Sequence, residues 1–474
     1  MADEVSLRAP CWLSYATRFL RDATRRRPIG PPPFLYAADM LCSFLITMAS
    51  LAPPQTPAEW VAQEMPRLVE LYEELHENPE LSFQEVESAR RMVSQLEGAG
   101  FPSVTAAVGG TGVVGVLKNG EGPVVLVRAD TDALPIEEKT GLAFASTKRV
   151  KDASGQDVAV MHACGHDMHM TVWSGTAAYL AAHRDQWSGT VVFVAQPAEE
   201  RGAGAKAMLA DGLFERFPKP DYCLALHVRG ELPAGTIGSC SGYALGNVDS
   251  VDIKVRGKGG HGSTPHKTHD PIVLASRIVM GLQTIVSREL PPVEDGVVTV
   301  GSFHGGAKHN IIPDEVQLKI TVRSYKPEIR EILLEGIRRT ALGEAVAAGF
   351  PEGLMPVVEV NELEFTPATY NSPQLVTRID KRFRAVFGED AVVPVEPVMG
   401  GEDFGRYGPA ANCPSYIFWL GVSPQALWDA SQKPGGAPCP AMHNSRFAPD
   451  AERSIQTGVT AMSEAVMELL PAKP

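Results

Sequence analysis

No CxxC pair occurs in the 474 residues, and the seven cysteines, at positions 11, 42, 164, 223, 240, 413 and 439, show no framework spacing. A disulfide scaffold is therefore not indicated. Positive charge is in deficit, with 43 basic against 56 acidic residues and a formal net charge of −13. Such a field repels phosphate backbones and anionic lipid, so nucleic acid is not an expected partner. The apolar stretch Met40 to Ala52 is too short to span a membrane as a helix, and no membrane association is expected after residue 55. What is present is a globular composition, 44% hydrophobic and 21% charged, with 44 glycines and 38 prolines that imply many tight turns.

Residues 1–55 differ from the rest: Arg21 and Arg25 to Arg27 are basic, Pro31 to Pro33 are stiff, and an apolar stretch ending in small residues follows. That order resembles a secretory signal. The alternative is a start placed too early, with the product beginning at Met40 or later. The expected location is accordingly cytoplasmic, or exported if the segment is a real signal.

A chain of this length usually holds two cores. From residue 56 to 247 short apolar runs, Val124 to Val127, Thr190 to Val194 and Tyr222 to Leu226, alternate with helical stretches such as Met170 to His183. That alternation predicts α/β architecture with a mostly parallel sheet, in which ligands gather at the carboxyl ends of strands. Between 248 and 361 the order becomes strand, helix, strand, strand, helix, strand, which predicts a smaller inserted ferredoxin-like α+β domain. The α/β pattern resumes over 362–474.

Chemistry concentrates in His162-Ala-Cys164-Gly-His166-Asp167-Met-His169, where three histidines, a thiol and a carboxylate fall within eight residues. So dense a set of ligand types signals metal. Gly165 lets the backbone turn so that Cys164 and His166 address one place. Further on, Glu199 and Glu200 stand side by side after an apolar run. Neighbouring side chains in extended backbone face opposite ways, so one carboxylate can bind metal while the other handles protons. His227 and His443 add two candidate ligands, and Asp130 and Asp132 follow another apolar run, where orienting a ligand histidine is a natural task.

Eight stretches in order, RADTDALP at 128–135, MHACGHD at 161–167, QPAEE at 196–200, ALHV at 225–228, GGHGSTPH at 259–266, NIIPD at 310–314, GGEDF at 400–404 and MHNSRF at 442–447, give a specific likeness over about residues 60–465. The chain resembles the M20 metallopeptidase family, in particular its amidohydrolase branch of aminoacylases, hippurate hydrolases and auxin-conjugate hydrolases. The resemblance implies two divalent metal ions per subunit, zinc, manganese, cobalt or nickel. Cys164 would bridge them, His166 and His227 would complete one site, and Glu200 and His443 the other. It further implies Glu199 as general base, Asp132 as the carboxylate behind the ligands, and His261 as a lid histidine on the scissile carbonyl. Asn310 and Arg323 would hold the substrate carboxylate. Relatives dimerise through the small domain, so a homodimer is expected, with His261 serving the partner's site. Gly401 and Ser445 depart from the common serine and proline, and neither change removes a ligand.

The expected reaction is cleavage of the amide bond of a small N-acyl or N-aroyl amino acid. A metallo-dipeptidase or carboxypeptidase on the same scaffold would need a pocket accepting a free amine. A silent metal-binding protein would be signalled by a missing ligand or an altered Glu199, and neither is seen.

Overall fold

The computed structural model describes residues 55–470 and 472, and Gln55–Pro474 form one compact unit. Apart from Gln55, the signal-like segment lies outside the described residues. Among the described residues no helix is long and apolar enough to cross a membrane.

The first helix among the described residues, Pro57–Glu77, starts at Thr56, whose hydroxyl accepts the Glu59 N–H while the Glu59 carboxylate takes the Thr56 N–H. This reciprocal cap satisfies two amides that a helix start otherwise leaves unpaired. Its buried face carries Val61, Leu68, Leu71, Tyr72 and Leu75, a helical spacing. The face packs against His166–Ala182 and Ala451–Leu469, two helices buried along most of their length.

These helices cover one side of an eight-stranded sheet. Its order is Ser103–Val108, Gly112–Asn119, Gly189–Gln196, Val124–Asp130, Tyr222–Pro233, Ser415–Ser423, Ile237–Ser239 and Val392–Pro394. The four central strands, from Gly189–Gln196 to Ser415–Ser423, run parallel to one another. The Ser103–Val108 and Gly112–Asn119 hairpin adds antiparallel edge strands, which the alternation of strand and helix does not reveal. Every residue of Gly189–Gln196 and of Ser415–Ser423 is buried, as expected of strands covered on both faces. Along Gly189–Gln196, Val191 and Phe193 enter the core shared with Leu68 and Trp173. Val192 and Val194 point the other way, toward Met208, Phe404 and Tyr407.

A second, wholly antiparallel sheet joins Gly296–Gly305, Glu315–Ser324, Asn247–Arg256 and Val357–Val360 in that order. In chain order these are its second, third, first and fourth strands, the ferredoxin-like arrangement. Helices Pro271–Thr284 and Pro327–Ala347 cover it and enclose a separate core that includes Val251, Ile253, Leu318, Leu333 and Ile337. A two-stranded ribbon, Gly260–His261 against Ile311–Ile312, also forms; residues too short for any periodicity make it.

Candidate metal centre

Three parallel strands bring the chemistry together. Asp130 ends Val124–Asp130, with Asp132 two residues on; Gln196 ends Gly189–Gln196, followed by the turn that carries Glu199 and Glu200; and His227 lies within Tyr222–Pro233. Parallel strands place their carboxyl ends on one side, so residues far apart in sequence meet there.

Cys164 and His166 flank Gly165, which caps the helix His166–Ala182 at φ +77°. A side chain there would be strained, and its Cβ would lie 2.5 Å from Val228. His443 approaches from the carboxyl-terminal region, also with left-handed backbone at φ +63°, and its N–H is tied to the Ala163 carbonyl at 2.8 Å.

Ligand-type atoms converge in two groups that share Cys164: Cys164 with His166 and His227, and Cys164 with Glu200 and His443, each set lying within 4.8 Å. The thiol is 3.6 Å from His227 Nε2 and 3.3 Å from His443 Nε2. His443 Nε2 is 3.5 Å from Glu200 Oε1, and His166 Nε2 lies 3.9 Å from both Glu199 and Glu200. His166 donates through Nδ1 to the Asp132 carbonyl at 2.7 Å, and His227 through Nδ1 to the Val228 carbonyl at 2.8 Å. Each ring therefore turns Nε2 inward as an acceptor-type nitrogen, the tautomer a metal ligand requires.

Whether these residues fit a metal is tested by atoms left without partners. His166 Nε2 and Glu200 Oε1 are buried and make no hydrogen bond. Two orphaned acceptors aimed into one space beside a thiol are costly unless a cation joins them. Electrostatics agrees. Burial opposes protonation of His166, yet Asp130, Asp132 and Glu200 push it up to about 10, a demand for positive charge at that point. Burial and the charges of Glu200, Glu199 and Asp130 hold the Cys164 thiol well above its usual range. Burial, reinforced by Glu402, Glu200 and Asp403, likewise raises the Glu199 carboxyl well above the usual glutamate value.

Asp132 stands behind the cluster: its Oδ1 accepts the Glu199 N–H at 3.1 Å and its Oδ2 the Glu200 N–H at 3.0 Å. The three histidines of the dense motif part company. His169 braces the site, with Nδ1 2.6 Å from Asp130 and Nε2 accepting the Val228 N–H at 2.9 Å. His162 is buried with both ring nitrogens unpartnered, and burial lowers it to about 4. Arg128, fully buried, links Asp130 to Glu402 and Asp403 of the GGEDF stretch. His76 sits between Asp167 at 2.7 Å and Glu138 at 3.0 Å. The positions of His76 and Glu138 were not expected; each stands among other polar residues, Glu77 and Asn78 beside the one and Glu137 and Lys139 beside the other, and nothing local singles it out.

His261, Asn310 and Arg323 lie elsewhere. Among the described residues no hydrogen bond or ion pair joins them to the Cys164 cluster. His261 is exposed, and its Nδ1 accepts the Ser263 N–H at 3.1 Å, which leaves the proton of the neutral ring on Nε2. The Asn310 carbonyl accepts the Gly262 N–H at 2.9 Å, which places it beside His261. Arg323 is half-buried on Glu315–Ser324, with Nε donating to Thr321 at 2.9 Å.

Residues 126–468 match peptidase family M20/M25/M40. N-acetylcysteine deacetylase of Bacillus subtilis (strain 168) is 36% identical over 363 residues, 76% of this chain and 90% of that protein. Hippurate hydrolase of Campylobacter jejuni is 38% identical over 350 residues, 73% of this chain and 85% of that one. The crystal structure of the Bacillus subtilis YXEP protein, described as a dinuclear metal binding peptidase from the M20 family, is similar at a TM-score of 0.67 and 30% identity, over 86% of this chain and 99% of that one. The chain belongs to peptidase family M20/M25/M40.

Proposed function

We propose that this metal-dependent amidohydrolase cleaves the amide bond of small N-acyl or N-aroyl amino acids, with two divalent ions held by Cys164, His166, Glu200, His227 and His443. The observation that carries the reading is the shared thiol: Cys164 belongs to both ligand groups, the arrangement a bridge between two ions needs. The deacetylase and hydrolase names of the relatives support this substrate class. When bound, two such ions lower the pKa of a shared water and polarise the amide carbonyl. Thiolate is a soft ligand that suits zinc, cobalt or nickel, and the carboxylate admits manganese.

The protein's own groups do the rest. Glu199 is buried at the cluster without being needed as a ligand, so it accepts one proton and delivers it to the leaving nitrogen. Asp132 fixes the backbone of both glutamates and the ring of His166. The segment 248–361 acts as a lid, from which His261 offers Nε2–H to the carbonyl oxygen, while Asn310 and Arg323 receive the substrate carboxylate. The test is a panel of hippurate, N-acetylated amino acids, indole-acetyl conjugates and free dipeptides, assayed with and without added divalent metal. Metal-dependent turnover of the acylated compounds is expected. Cleavage confined to free dipeptides would replace this reading with a dipeptidase.

A further inference from the structure

The turn after Gln196 is strained. Ala198, buried and not a glycine, holds left-handed backbone at φ +50°, a conformation that persists only where the surroundings enforce it. What enforces it is a run of carboxylates. The N–H of Ala198 ends on Glu85 Oε1 at 2.8 Å, that of Glu199 on Asp132 Oδ1 at 3.1 Å and that of Glu200 on Asp132 Oδ2 at 3.0 Å. Three consecutive amides are thus each captured by an acid.

Both acids are governed by the short segment Leu81 to Glu85. Leu81 bridges to Ala133, and the Ala133 N–H donates to the Glu80 carbonyl at 2.7 Å, which lays the segment beside Asp132. Ser82 Oγ then donates to Asp132 Oδ2 at 2.6 Å. Phe83 turns the chain with φ +63°, and its N–H shares Glu85 Oε1 at 2.9 Å. The other oxygen of Glu85 accepts from the Thr111 hydroxyl at 2.5 Å. A carboxylate is an acceptor at every lone pair, which is what three converging donors need. Glu85 is wholly buried beside Asp132, and burial with that charge pushes it up to about 7. An added acid in such a place works against stability unless it is bound by donors.

We propose that Ser82 and Glu85 are positioning residues, which fix the strained turn so that Glu199 and Glu200, adjacent in sequence, face their separate tasks. The proposal rests on the reading of Glu199 as proton carrier and Glu200 as metal ligand. Neither Ser82 nor Glu85 belongs to the ligand set; each acts through backbone amides or through Asp132.

The experiment uses the full chain with Ser82→Ala, Glu85→Ala and Glu85→Gln. It measures zinc and manganese retention on dialysis against graded chelator, steady-state hydrolysis of hippurate or an N-acetyl amino acid, and thermal stability. Glu85→Ala should lower kcat by about 10- to 100-fold with KM changed by less than about threefold, and weaken retention of one of the two ions by about tenfold. Glu85→Gln keeps an oxygen for the Ala198 N–H and should restore most of both. Ser82→Ala should move kcat and retention in the same direction by a smaller factor. A merely structural role predicts lowered thermal stability with kcat and ion retention unchanged below the transition, and that result overturns the proposal. If Glu85→Ala does not fold, Ser82→Ala decides: wild-type kcat and wild-type retention overturn it. A wild-type protein that turns over no N-acyl substrate would sink the functional reading alone, because ion retention still decides the positioning roles.

Discussion

The proposed division of work between Glu199 and Glu200 rests on one difference: Glu200 Oε1 lies 3.5 Å from His443 and joins a group with Cys164, whereas Glu199 groups with His166 and Glu200. Glu199→Ala should therefore reduce turnover by about 100- to 10,000-fold while metal content stays near two ions per chain, as elemental analysis would show. Loss of metal together with activity would exchange the two roles. His76 gives a second prediction. Burial opposes its charge, yet Asp167 and Glu138 raise it from the ordinary 6.5 to about 10. A raised histidine adds stability that is complete below its unfolded value and is lost as pH rises through the folded one. Removing one partner of a buried ionic cluster costs about 3 kcal/mol or more. The melting-temperature gap between wild type and His76→Gln should thus be full near about pH 6 and shrink toward about pH 10. A gap that widens with alkaline pH would show that His76 is neutral in the folded protein.

At the scale of elements, the site is a set of strand ends and one helix start rather than a motif. The helix His166–Ala182 begins at Gly165, and the position is closed to a side chain on two counts, a φ of +77° and a Cβ 2.5 Å from Val228. Gly165→Ala should cost about 1–3 kcal/mol and swing Cys164 away from His227 and His443. Circular-dichroism melting and metal titration of the variant check both effects. Undiminished metal affinity would mean that the turn does not aim the thiol. The density of histidines over 162–169 signalled metal, and the helix there begins at His166, four residues before the stretch read as helical; His166 is grouped with Cys164, while a helical step of three residues turns His169 toward Asp130.

For the whole molecule, His261 is the outlying residue: exposed, on a two-residue strand, with no bond to the Cys164 cluster. If the protein is a two-fold dimer in which the small sheet carries His261 to the other subunit's site, Glu199→Ala and His261→Ala subunits complement one another. Each mixed dimer would hold one intact site, and random exchange would return roughly a quarter of wild-type activity. No recovery, with subunit exchange verified by mass, would leave His261 serving its own subunit or none.

The linear sequence by itself determined the alternation of strands and helices, the two hydrophobic patterns and the ligand types, because periodicity and residue chemistry are local properties. The runs Val124 to Val127, Thr190 to Val194 and Tyr222 to Leu226 all fall within strands of the large sheet. The linear sequence could not show the antiparallel hairpin Ser103–Asn119: Ser103–Val108 is partly exposed at the sheet edge, and the apolar run in Gly112–Asn119 does not reveal which way the strand runs. Nor could it show that Glu85 holds the Ala198 amide, 113 positions away, or that His76 lies between Asp167 and Glu138. Those partnerships depend on which groups burial leaves without water. A buried donor or acceptor must find whatever partner the packed chain brings within about 3 Å, and only the tertiary structure decides which one that is.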